Sequence, residues 1–108
     1  MKLLSSLDEI LLLVIISLGK NAYGVTIRQK LSKVTGKEWS IGSIYDPLYR
    51  LEKKEYLRSI VAGPSSERGG RSKRMFEITI EGEQALADHQ KLRNELIDNA
   101  DGIILDVN

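Results

Sequence analysis

Between Tyr23 and Lys54 two short amphipathic patterns follow one another across a brief glycine-containing connection, and few arrangements of a chain can bury both. The first carries Val25, Ile27, Leu31 and Val34 as inward positions and stops at Gly36, which predicts a helix from Tyr23 to about Val34. The second is expected to start after Ser40, whose hydroxyl is suited to an N-cap, and to continue to Lys54. Ile41, Ile44, Leu48 and Leu51 recur at i, i+3, i+7 and i+10 and share one face. Gly42, Asp46, Tyr49 and Lys53 fall on the opposite face, with Ser43 and Arg50 flanking it. Two short helices of this kind, the second polar on its outer side, form a helix-turn-helix pattern. Pro47 stands inside the second helix, where its ring removes a hydrogen bond and crowds the carbonyl of Ser43, so a bend is predicted there.

The flanking segments complete the unit. Ser6 with Glu9 three residues later reads as a capping box that opens a first helix. Ile10, Leu11, Val14, Ile15 and Leu18 then cover nearly its whole circumference, and Gly19 is the expected C-cap. A helix apolar all round is buried on more than one side, and Leu11 and Ile15 are expected to serve a subunit contact as well. After the second amphipathic pattern come two β-like runs, Tyr56 to Val61 and Arg74 to Ile80. The loop from Gly63 to Lys73 between them is rich in Gly and Ser and carries Arg68, Arg71 and Lys73, so the pair reads as a basic hairpin. The predicted fold class is α+β, mainly α: a winged helix-turn-helix of three helices and a two-stranded wing, followed by a C-terminal helix for dimerisation. Thr79 is placed to cap that helix. Ala85, His89, Leu92, Leu96 and Ile103 recur at steps close to a 3.5-residue period, the repeat of a helix that pairs with another helix, so a homodimer seam is expected there. The division is residues 1–80 for the winged helix-turn-helix domain and 81–108 for the dimerisation helix.

Composition removes most other classes. The 108 residues contain no cysteine and one histidine, which leaves no thiolate nucleophile, disulfide or histidine-rich metal site. No Walker loop, Gly-x-Ser-x-Gly elbow or metal-ligand spacing is present, so neither an enzyme nor a cofactor is implied. The longest apolar run, Ile10 to Ile16, is far short of the ~20 residues that span a bilayer, and with no signal-peptide pattern a cytoplasmic location is expected. The net charge of +1 conceals an asymmetry. Lys20 to Phe76 hold 13 basic residues against 5 acidic ones, whereas Glu77 to Asn108 hold 2 against 8. Such a concentration of positive charge suits a polyanion.

Three segments in register resemble the PadR family of bacterial transcriptional repressors. They are Asn21-Ala22-Tyr23-Gly24-Val25, then Ser40-Ile41-Gly42-Ser43-Ile44-Tyr45 with Leu48-Tyr49-Arg50-Leu51-Glu52, and Glu67 to Arg74 running into the second wing strand and Thr79. The likeness covers roughly Leu7 to Leu86. It implies a winged helix, a dimer held by the C-terminal helix, and repression from palindromic double-stranded DNA operators. Many members release DNA on binding a small aromatic or drug-like molecule, which makes such an effector a candidate partner. The tail after Leu86 is short, as in the compact subgroup that lacks a separate C-terminal domain.

The residues assigned to DNA follow from both lines of reasoning. Ser43 and Asp46 lie where base edges are expected, since serine reads either partner and a carboxylate accepts only from cytosine N4. Asp46 is equally placed to pair with Arg50 at i+4. Arg50 and Lys53 are candidates for phosphate or base contact, Ser40 stands at the helix entry, and Tyr49 is placed to reach a phosphate or a thymine methyl. Tyr23 opens the preceding helix, where free amides can hold a phosphate. In the wing, Arg68, Arg71, Lys73 and Arg74 are expected to neutralise phosphates or enter the minor groove. Tyr45 and Trp39 are expected in the core. The competing reading is a winged-helix protein–protein interaction module that binds no DNA.

Overall fold

A computed structural model describes residues 3–62 and 73–99. Helix α1 spans Ser6–Leu18 and is capped by Ser5, whose Oγ accepts from the Asp8 amide at 3.1 Å. The expected cap was Ser6 with Glu9; two adjacent serines give the same local signal, and the helix starts one residue earlier. Gly19 closes α1 at φ 56°, a left-handed value that favours glycine, and its N–H donates to the carbonyls of Ile15 and Ile16. A single 3₁₀ turn, Gly19–Asn21, leads to α2, Gly24–Thr35. Gly36 ends α2 in the left-handed region at φ 71°, donating to the Ser32 carbonyl at 2.9 Å.

Helix α3 spans Ile41–Lys53, and Ser40 Oγ accepts from the Ser43 amide at 3.0 Å, the predicted cap. It runs without interruption through Pro47, whose ring is buried. Its C-terminus is a Schellman turn: the Tyr56 N–H donates to the Leu51 carbonyl and the Glu55 N–H to that of Glu52. Glu55 occupies the left-handed position at φ 68°, where glycine is usual.

Strands β1, Leu57–Ala62, and β2, Lys73–Ile78, pair antiparallel from Leu57↔Ile78 to Ala62↔Lys73. The Phe76 N–H donates to the Ala22 carbonyl at 2.8 Å and Met75 bridges Tyr23, so β2 also meets the segment before α2. Helix α4, Ile80–Asn99, begins where the second strand was expected to continue. Thr79 Oγ1 accepts from the Gly82 amide at 3.0 Å and donates to the Glu55 carbonyl, which turns the chain out of the sheet.

The core is built from Leu11, Leu12 and Ile15 of α1, Ile27 and Leu31 of α2, Ile44, Leu48 and Leu51 of α3, and Leu57 and Phe76 of the wing. Leu11 and Ile15, expected at a subunit contact, are therefore buried inside this chain; the exposed apolar residues of α1 are Leu13 and Ile16. Val25 was expected inward but is 44% exposed, because it lies two residues and roughly 200° from Ile27. Val34, 56% exposed, stands in the last turn of α2 beside an open apolar groove shared with Leu13 and Val14. Ile41, in the first turn of α3, is also half exposed.

The root of α4 is buried at Gly82, with Ala85 and Leu86 packed against the core. Glu9 then receives His89 Nε2 at 3.7 Å and Arg93 Nε at 3.6 Å. A Cβ on Gly82 would collide with the Tyr56 carbonyl and Ile78, whereas one on Gly24 would meet the tip of the Tyr45 ring. Backbone cannot retreat as a side chain can. Gly82→Ala is expected to cost ~1–3 kcal/mol, more than Gly24→Ala, in paired urea titrations of the two variants.

Candidate nucleic-acid interface

Burial of Ile44, Pro47, Leu48 and Leu51 turns the opposite side of α3 to solvent. Gly42, Ser43, Asp46, Tyr49, Arg50 and Lys53 are all exposed, as the helical wheel indicates. At the entry to α3 the Ser43 hydroxyl donates to the Ser40 carbonyl at 2.8 Å, which leaves its oxygen lone pairs as acceptors.

Arg50 differs from the simplest expectation. Its Nη2 lies 3.2 Å from Oδ1 of Asp8, forty-two positions away in sequence, and Lys54 Nζ lies 3.8 Å from Oδ2 of the same carboxylate. Asp8 is 3% exposed, the one buried charged side chain among the described residues. The local alternative, Asp46 at i−4, gives way to this partner because a carboxylate taken out of water needs its counter-charge more than an exposed one does. Asp8 was not singled out from the sequence. The available signal was its spacing: with Leu11, Leu12 and Ile15 it falls on one helical face at i, i+3, i+4 and i+7, a carboxylate on the inward stripe.

On its other flank α3 meets the wing through aromatic rings. Tyr45 and Tyr49 stack with centroids 5.4 Å apart, and Phe76 of β2 lies 6.4 Å from the first and 6.5 Å from the second. Arg74 places its guanidinium 5.9 Å from the Tyr49 centroid and donates to Ser59 Oγ at 2.9 Å; that hydroxyl in turn donates to Glu52 on α3. Lys73 sets its ammonium 4.2 Å above the ring of Tyr23, the residue preceding α2. Tyr23 and Tyr49 thus act as supports for wing cations. Arg58 and Glu77, directly opposite in the sheet, pair at 2.6 Å.

Arg74 thus stands beside Tyr49 on the outer side of α3, and Lys73 stands over Tyr23 before α2, both at the end of the strand pair that adjoins the wing loop. Arg68 and Arg71 lie outside the described residues, as does Ile103 of the expected seam. Trp39 packs on the core with its indole N–H donating to Thr35 Oγ1 at 3.0 Å, so it belongs to the turn. On the α4 stripe Ala85 is packed on the core, His89 turns to Glu9, Leu92 is half-buried and Leu96 is 64% exposed. A cleft of about 750 Å³ lies between the end of α1 and the sheet, walled by Ile15, Ile16, Ile60, Met75 and Ile78 with Lys20 at its rim. Among the described residues no three His, Asp or Glu side chains come together as metal ligands, and no helix is long and apolar enough to cross a membrane.

A family model described as the transcriptional regulator PadR-like family matches residues 11–88. Solved structures share the fold. A PadR-like transcriptional regulator from Bacillus cereus has a TM-score of 0.67 at 25% identity, covering 94% of this chain and 93% of that one. A PadR-like transcription factor from Bacteroides fragilis has a TM-score of 0.67 at 25% identity, covering 85% and 84%. RosR from H. salinarum, at 24% identity and a TM-score of 0.67, covers 91% and 82% and supports the fold alone. No curated protein sequence matches this chain.

The aromatic contact between α3 and the wing has a measurable weight. Tyr49→Ala is expected to lose ~1 kcal/mol of pairing with Tyr45 and Phe76 in denaturant unfolding, and Tyr49→Phe much less, since the stacked ring is retained.

Proposed function

This chain belongs to the PadR-like family of transcriptional regulators, and from that premise we propose that it binds double-stranded DNA sequence-specifically, as a homodimer on a palindromic operator, and represses transcription. The observation that carries this reading is the polar outer side of α3, with Arg74 set against Tyr49 on that helix and Lys73 over Tyr23 before α2. A helix of this size and polarity fits the major groove, and cations beside it fit the flanking phosphates.

The roles follow from chemistry and position. Ser43 and Asp46 are the base-reading residues, with Tyr49 next to them, and Lys53 holds phosphate nearer the end of α3. Ser40 and Tyr23 border the groove at the starts of the two helices. Lys73 and Arg74, with Arg68 and Arg71 further along the wing, neutralise phosphates of the adjoining backbone. Arg50 stands at the edge of this surface, held by Asp8. The second copy is recruited through α4, where Leu92 and Leu96 continue the apolar stripe beyond the core and Ile97 is exposed beside them. An effector, if a small aromatic molecule, suits the apolar cleft beside Lys20.

Two experiments test this. An operator is first selected from genomic fragments with the purified protein, and each variant is then titrated against every single-base change in it. Ser43→Ala and Asp46→Ala are expected to shift base preference by ~1–3 kcal/mol at one position, whereas Lys53→Ala weakens all sequences alike. Unchanged preference in both variants, with binding still strong, refutes base reading by α3. Separately, sedimentation is expected to find a dimer at micromolar concentration and a monomer for Leu92→Lys/Leu96→Lys, because buried unpaired ammonium groups cost several kcal/mol each. A wild-type monomer rules out the homodimer.

A further inference from the structure

We propose that Asp8 limits the sequence-independent affinity of the DNA-binding surface: its buried carboxylate occupies Arg50 and Lys54 and so withholds two cations from DNA phosphates. The proposal rests on the DNA-binding reading above. Asp8 lies in the first turn of α1, away from α3 in sequence, and divides its two oxygens between the two side chains, Oδ1 at 3.2 Å from Arg50 and Oδ2 at 3.8 Å from Lys54. Those residues are one helical turn apart at the end of α3, on the flank of the side that carries Asp46, Tyr49 and Lys53. Their side chains are 50% and 43% exposed, against 4% for that of Asp8. They stand at the edge of the surface with their charge directed inward.

A phosphate oxygen and a carboxylate oxygen are equivalent acceptors for guanidinium and ammonium groups. DNA therefore competes with Asp8 for both. The competition is unequal, because drawing the cations away leaves a carboxylate buried with no counter-charge, whereas a phosphate left unpaired keeps its water and counterions. Arg50 and Lys54 accordingly stay on Asp8. Sequence-independent attraction scales with the number of phosphates neutralised, and withholding two cations lowers it without touching the contacts that read base edges. Asp8 thereby raises the share of the binding free energy that comes from base contacts.

The test uses the full chain, a duplex of random sequence and a salt series. Asp8→Asn keeps the side chain's shape and removes its charge. The log–log salt slope is expected to steepen by one to two units, at ~0.9 per phosphate neutralised, with tighter binding at low salt. Adding Lys54→Gln to Asp8→Asn is expected to take back about one unit of that gain, a change that a purely structural role of Asp8 would not produce. Thermal unfolding verifies that the variants fold. An unchanged or shallower slope in folded Asp8→Asn overturns the proposal. Lys54→Gln alone decides the matter should Asp8→Asn not fold: the wild-type slope supports withholding, and a slope shallower by about one unit refutes it. A wild-type protein that binds no duplex at any salt, operator included, instead overturns the DNA-binding reading and this proposal with it.

Discussion

Phe76 fixes the wing to the rest of the molecule. Its ring is buried, 2% exposed, and faces both tyrosines of α3, while its backbone N–H donates to the Ala22 carbonyl just before α2. One residue is thus held by a main-chain bond to the first part of the helix-turn-helix and by ring contacts to the second. The wing cannot slide along α3 without losing a buried hydrogen bond and aromatic packing together. The two residues before Met75 inherit this restraint. Strand alternation sends Arg74 to the same side as Phe76, toward Tyr49, and Lys73 to the other, toward Tyr23. The placement of cations around α3 is therefore a consequence of how one phenylalanine is seated.

What the sequence made legible is what local chemistry decides. The caps at Ser40, Gly36 and Thr79, the buried stripe of α3 and the pairing of two short strands all depend on residues within a few positions of each other, and each is found. The end of α3 was not marked by a glycine, because Glu55 takes the left-handed position; the Thr79 hydroxyl bonded to its carbonyl comes from a distant turn. Arg50 shows the same limit within the site. Its i−4 neighbour Asp46 is visible in sequence, but the partner chosen is a buried carboxylate on another helix, and burial exists only once the chain has folded. Of the surface itself, the outer residues of α3 and the basic character of the wing could be read directly, whereas the aromatic supports beneath Lys73 and Arg74 could not.

Helix α1 resolves a different ambiguity. An apolar circumference indicates burial on several sides without ranking them. Leu11, Leu12 and Ile15 take the sides facing α2, α3 and the sheet, leaving Leu13 and Ile16 at the surface. The period alone could not separate a core position from a contact between subunits, since both want the same side chains. The same holds for α4, whose stripe divides along its length: Ala85 and His89 turn to this chain's own helices, and Leu96 stands clear of them.

That division makes α4 a beam clamped at one end. Its supports are Gly82 against the Tyr56 carbonyl and Glu9 against His89 and Arg93; six residues then run on to Asn99. The six residues beyond Arg93 reach only ~9 Å, so a tilt of ~10° at that support moves the far end by ~1.6 Å, well under one helical pitch. The end of α4 is therefore a short extension of its supports, and where its outer side chains stand is set by how His89 and Arg93 meet one carboxylate.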